Sequence, residues 1–150
     1  MKENLSLGEL RELLGAESLE NLSQDKLMEL FKLLPRLKEE EAIGVLASLR
    51  NKDELSLGIL RRLKVLCEEA LIKGEDTATI RSYKKALDAL EFMIKDGIAS
   101  FEDTEYCRNE IITIARSLKK ANYIEYSEGL IKAMGAPRAL LYLIGAGLIR

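Results

Sequence analysis

The chain contains no histidine and no tryptophan, and among its 150 residues only two are cysteine and two proline, with aromatics at 5%. Each shortage excludes something. Without histidine there is no side chain whose unperturbed titration lies near neutral pH, and the commonest metal ligand is missing. A Ser-His-Asp or Cys-His hydrolase is therefore impossible, and a zinc site would need two scattered cysteines plus carboxylates. Cys67 and Cys107 stand at helical spacing from apolar neighbours (Leu63 and Leu71; Ile111 and Ile114), where a thiol acts as a small hydrophobe. Neither a Gly-Lys-Ser/Thr phosphate loop nor a Gly-x-Gly-x-x-Gly fingerprint occurs, so nucleotide-loop chemistry is excluded as well. The expectation is a non-enzymatic protein with no catalytic residue, no metal and no cofactor. No basic stretch followed by an apolar run and a small-residue cleavage site opens the sequence, which points to a cytoplasmic address. The longest apolar run, at Ala139–Ile149, falls short of the about twenty residues that span a bilayer, so no membrane is expected.

Few prolines, few aromatics and no β-branched alternation leave helix as the dominant state. Hydrophobic residues at 47% and charged residues at 32% are ordinary for a globular chain. The formal net charge of −2 gives no general pull toward polyanions. At this length one domain buries about two-thirds of its unfolded surface.

The frame Leu-Ser-x-x-x-Leu occurs three times, at Leu5-Ser6…Leu10, Leu22-Ser23…Leu27 and Leu55-Ser56…Leu60. Each serine is expected to cap a helix, with the two leucines closing a hydrophobic staple, and Ser6 with Glu9 completes a capping box. The first and third copies agree further, Lys2–Leu13 paralleling Lys52–Leu63. Shared capping chemistry explains this better than a repeat array, which needs about three units.

Downstream, one helix is expected from Gln24 to about Leu34, broken by Pro35, and a second carrying Ala42, Val45, Leu46 and Leu49 and ending around Asn51. Two long helices follow, Leu57–Lys73 and Thr77–Lys95, joined by Gly74-Glu75-Asp76 and so packed antiparallel. Ile80, Tyr83, Leu87, Leu90 and Ile94 fall on one face of the second. Arg61, Arg62 and Lys64 and then Arg81, Lys84 and Lys85 read as solvated faces, with Lys64 pairing Glu68 one turn on. The fold expected is all-α, a single domain over 1–150 built as an irregular multi-helix bundle or short helical-repeat array of about seven to eight helices. Its sub-units are 1–53, a central hairpin 54–98 and a C-terminal part 99–150.

The segment Tyr126-Ser127-Glu128 through Gly135-Ala136-Pro137-Arg138-Ala139 to Tyr142 resembles a helix-turn-helix, within residues 106–150. Ser127-Glu128 opens one helix, Gly135 makes the turn and Pro137-Arg138-Ala139 opens the next. Asn109–Lys120 is the preceding helix, and Tyr123–Tyr126 the short extended connection seen in winged relatives. From Tyr106 to Arg150 seven basic residues stand against three acidic ones. The resemblance implies nucleic-acid binding through Arg116, Lys119, Lys120, Lys132 and Arg138. However, the helix that would enter a groove reads Arg138-Ala139-Leu140-Leu141-Tyr142-Leu143-Ile144, and a major groove requires polar reach to base edges.

Nucleic-acid binding therefore stands second. From Ala139 to Ile149 every residue but Tyr142 is apolar or glycine. Such a helix is either core or a contact patch for another protein or a second copy of the chain. The leading reading is a protein–protein interaction or assembly subunit, with Leu140, Leu141, Leu143 and Ile144 as the partner-binding residues.

Overall fold

A computed structural model of the chain describes residues 5–15, 23–33, 36–48, 53–96 and 101–149. Among these are eight helices: α1 (Leu7–Leu14), α2 (Gln24–Leu33), α3 (Glu39–Ala47), α4 (Asp53–Ile72), α5 (Thr77–Asp96), α6 (Phe101–Ser117), α7 (Tyr123–Met134) and α8 (Ala136–Leu148). The fold is an all-α multi-helix bundle. Its one β-type pairing among the described residues is a parallel bridge of Leu5 with Leu37, where the Leu5 N–H donates to the Arg36 carbonyl at 2.9 Å.

Two of the three serine frames behave as capping chemistry demands. Ser6 accepts from the Glu9 N–H while the Glu9 carboxylate accepts from the Ser6 N–H, a closed capping box, and the staple partners Leu5 and Leu10 are both buried. Ser23 accepts from the Lys26 N–H at 3.3 Å; its staple partner Leu22 lies outside the described residues, as do Pro35, Leu49 and Asn51. The third frame is different. α4 begins at Asp53, so Ser56 sits inside the first turn, fully buried, and its hydroxyl shares a 3.0 Å hydrogen bond with the phenol of Tyr142 in α8. A shared N-cap therefore does not explain the likeness of the first frame to the third, since Ser6 caps α1 and Ser56 lies within α4.

α4 and α5 form the expected antiparallel hairpin, and all five of Ile80, Tyr83, Leu87, Leu90 and Ile94 are buried. Gly74 ends α4 in the left-handed conformation (φ 73°), with its N–H donating to the Leu71 carbonyl and that of Glu75 to the Ala70 carbonyl, a Schellman closure. Lys64 pairs across the hairpin with Asp88 (2.8 Å) and Glu91 (3.1 Å) and Glu68 with Lys84 (3.8 Å). This corrects the expected Lys64–Glu68 pair within one helix. The descending register of these contacts fixes the antiparallel sense.

α8 is the axis of the bundle. It touches α2, α4, α5, α6 and α7, which separates a bundle from a solenoid, where units meet only their neighbours. Its glycines admit aromatic rings from other helices. A Cβ on Gly145 would collide with the Phe31 ring of α2, and one on Gly147 would stand 2.6 Å from the Tyr83 hydroxyl of α5. Phe31 in turn meets Tyr142 edge to face, centroids 5.0 Å apart, an arrangement aromatic quadrupoles favour. Around this axis α3 packs on α7, with Ile43 over Gly129, and α1 on α2.

α7 opens at Tyr123, four residues ahead of the expected start, so Tyr123–Tyr126 is helix and not an extended connection. Ser127 is consequently interior, its hydroxyl donating to the Tyr123 carbonyl at 2.6 Å. α6 likewise begins at Phe101 and ends at Ser117, earlier at both ends than the expected Asn109–Lys120.

Candidate interaction surfaces

Leu140, Leu141, Leu143 and Ile144 have no exposed area at all. They are covered by the chain's own helices, so the partner-binding role expected of them is replaced by a core role. The physical reason is that an all-round apolar helix finds its lowest free energy enclosed on all sides, and here five helices enclose it.

The five cations of the nucleic-acid reading separate into two groups. Arg116, Lys119 and Lys120 gather at the corner between α6 and α7. Arg116 lies 5.9 Å from the centroid of the Tyr123 ring and Lys120 lies 5.0 Å from that of Tyr126, a distance at which ring quadrupole and cation attract. Lys119 holds φ 61°, the one non-glycine residue with positive φ among those described. It occupies at the end of α6 the place that Gly74 occupies at the end of α4: its N–H donates to the Arg116 carbonyl at 3.0 Å and that of Lys120 reaches the Ala115 carbonyl at 3.4 Å. Lys132 and Arg138 stand at the other end of α7, roughly 14 Å of helix rise away. α7 and α8 do join at Gly135, with Pro137 in the first turn of α8. But α8 is buried continuously from Ala139 to Gly147, which leaves no face to lie in a groove.

Several charges elsewhere are matched. Arg62 pairs with Asp25 at 2.7 Å, Arg108 with Glu128 and Lys64 with Asp88 and Glu91. The hydrogen bond that Lys64 donates to Asp88 raises the Lys64 pKa despite partial desolvation. Burial pushes both thiols, Cys67 and Cys107, up to about 11, so they are protonated at neutral pH and poor nucleophiles. Burial raises the Tyr106 phenol as well. Among the described residues no three of cysteine, aspartate or glutamate gather as a metal site, and no helix is long and apolar enough to cross a membrane. Two shallow clefts border the α4–α5 turn and the end of α8, and a third lies between α5 and α6; of the three, one of about 380 Å³ is lined by Glu75, Asp76, Thr79, Ile80, Tyr83, Gly147 and Leu148. No nucleophile–base pair lines it.

No family model, curated protein or solved structure matches the chain. The argument for function therefore rests on this molecule's own surface.

Among the described residues, the large apolar side chains left in water are Leu13, Val65, Ile72, Phe92 and Ile124. Three of them belong to one hairpin. Val65 and Ile72 are seven residues apart on α4, opposite its buried line Leu60, Leu63, Cys67 and Ala70, and Phe92 is central on the outward side of α5. Ile72 is 86% exposed and Phe92 68%. The sequence did carry the signal: these are hydrophobic positions that lie off the helical stripe. Stripe-finding looks past them because it scores what falls inside the stripe.

Proposed function

We propose that the protein works by contact, as a non-catalytic helical interaction or assembly subunit in the cytoplasm, and that its contact surface is the outward side of the α4–α5 hairpin. The supporting observation is the exposure of Val65, Ile72 and Phe92 on helices whose opposite faces are fully used by the core. A rigid hairpin held by cross-helix ion pairs presents such side chains without reorganisation, which lowers the entropy cost of binding. Aromatic anchors at the centre of a patch carry most of the binding energy in interfaces of this kind. The test is a photo-reactive side chain placed in the full chain at position 65, 72 or 92, and, as control, at exposed Lys38 or Thr113. Adducts in the protein's own cell extract are expected from the hairpin positions and not from the controls; equal labelling everywhere, or none at the hairpin, refutes the surface.

A second reading is favoured by the α6–α7 corner. Three cations gather there beside the part-buried ring of Tyr123, a combination suited to phosphate contact. Backbone strain at a functional side chain is a recurrent device, and Lys119 holds a glycine's conformation. Titration with labelled single-stranded RNA and duplex DNA at low and moderate salt should show steeply falling affinity if several phosphates are engaged; absence of binding at low salt removes this reading.

A further inference from the structure

Taking the outward side of the α4–α5 hairpin as a contact surface, as proposed above, its charge pattern identifies the chemistry of the partner. The exposed line of α5 runs Arg81, Lys85, Asp88, Phe92, Lys95, at alternating spacings of four and three. That of α4 runs Arg61, Val65, Glu68, Ile72. Both carboxylates on these lines, though more than half exposed, pair across the hairpin, Asp88 with Lys64 at 2.8 Å and Glu68 with Lys84 at 3.8 Å. None of the ion pairs of the described residues engages Arg61, Arg81, Lys85 or Lys95. On the flank of α4, exposed Glu69 is offset in charge by exposed Lys73. These two lines thus carry three exposed apolar side chains beside four cations that lie outside the hairpin's own ion pairs, with the exposed carboxylates Glu75 and Asp76 confined to the turn.

We infer that this face receives an acidic amphipathic helix of a partner protein, whose apolar side chains cover Val65, Ile72 and Phe92 and whose carboxylates meet Arg61, Arg81, Lys85 and Lys95. Two antiparallel twenty-residue helices make a two-helix face roughly 30 Å long, long enough to lie along a third amphipathic helix. A second copy of this chain would set the same cations opposite one another across a twofold axis, which is repulsive. A phosphate backbone would satisfy the cations but leave Ile72 and Phe92 in water.

The test uses the full chain and three synthetic helical peptides with one apolar stripe and a polar face of glutamate, glutamine or lysine, read by fluorescence anisotropy. The glutamate peptide is expected to bind best, to weaken about tenfold or more against the double variant Arg81→Glu/Lys85→Glu, and to weaken with added salt as exposed charge pairs are screened. The lysine peptide should gain on that same variant. Phe92→Ser should weaken all three peptides. These positions are exposed, and circular dichroism verifies that the variants keep the bundle. If the glutamate peptide fails to bind, or binds no better than the glutamine peptide, the acidic partner is overturned. With photo-adducts at 65, 72 or 92 still present, only this inference falls; without them, the contact surface falls too. A dimer in sedimentation that Phe92→Ser dissolves would overturn the acidic partner in favour of self-association.

Discussion

Removing the Ser56 hydroxyl should cost more than a serine-to-alanine change in a first turn ordinarily does, because Ser56 is not a cap. Its oxygen lies 3.0 Å from the Tyr142 phenol, and both residues are fully buried. In Ser56→Ala the large ring stays in place and its hydroxyl loses this one bond between two fully buried groups, for which about 0.5–1.5 kcal/mol is the expected cost. Tyr142→Phe leaves the smaller hydroxyl on a helix, where serine can turn back to the carbonyl one turn earlier, so about 0.5–1.5 kcal/mol is expected. The ring itself remains edge-on to Phe31 in that variant, which keeps the aromatic contact out of the difference. The double variant should therefore cost less than the two singles together, by about 1 kcal/mol. Urea titrations followed by circular dichroism give the four free energies; in heat, each 1 kcal/mol corresponds to about 2–4 °C for a chain of this size. Additivity within about 0.3 kcal/mol would show that the two hydroxyls do not interact, and with it the reasoning that α4 and α8 are joined by this bond would fail.

Gly145→Ala should destabilise by about 1–3 kcal/mol, since its Cβ meets a Phe31 ring pinned by Tyr142, while Gly44→Ala, in open space on α3, should stabilise by about 0.5–1 kcal/mol. If both stabilise in denaturant melts, the α2–α8 packing is wrong. Leu143→Ala should cost about 2–5 kcal/mol as a core truncation; a loss below about 0.5 kcal/mol would return α8 to the surface. Lys119→Gly should raise stability by about 1 kcal/mol by relieving the left-handed conformation, and a fall in melting temperature would contradict that geometry. Both thiols, held at about 11 in the fold, should resist iodoacetamide near pH 8.5 in native protein and react once it is unfolded. Because the unfolded thiols ionise first as pH rises, their contribution to stability is present below about pH 8.5 and declines toward 11. A flat stability profile across that window, or rapid native labelling, would count against their burial.

Much of the helical grammar could be read directly. The line Ile80, Tyr83, Leu87, Leu90, Ile94 placed α5 to within one residue at its end, because long amphipathic periodicity survives any tertiary context. Ser56 was misread because a capping serine and a buried one look alike in sequence; what distinguishes them is Tyr142, far along the chain. Tyr123–Tyr126 was misread because the resemblance to a winged helix-turn-helix placed an extended connection there, yet Tyr126 is interior to a helix that packs on α6 and α3. The expected contact patch on α8 proved to be core, and the exposed Val65, Ile72 and Phe92 emerged only once the buried sides of α4 and α5 were known.

The helix that organises the bundle is also the last of the eight to be synthesised. While a ribosome extends the chain at about 5–20 residues per second, α2 waits roughly 5–25 s for the backbone on which Phe31 will rest. During that interval the inner sides of α2, α4 and α5 have no permanent cover, and the nascent protein exposes much of what will become its interior. Final packing of those faces therefore waits for α8, and until it arrives the exposed apolar helices are open to association.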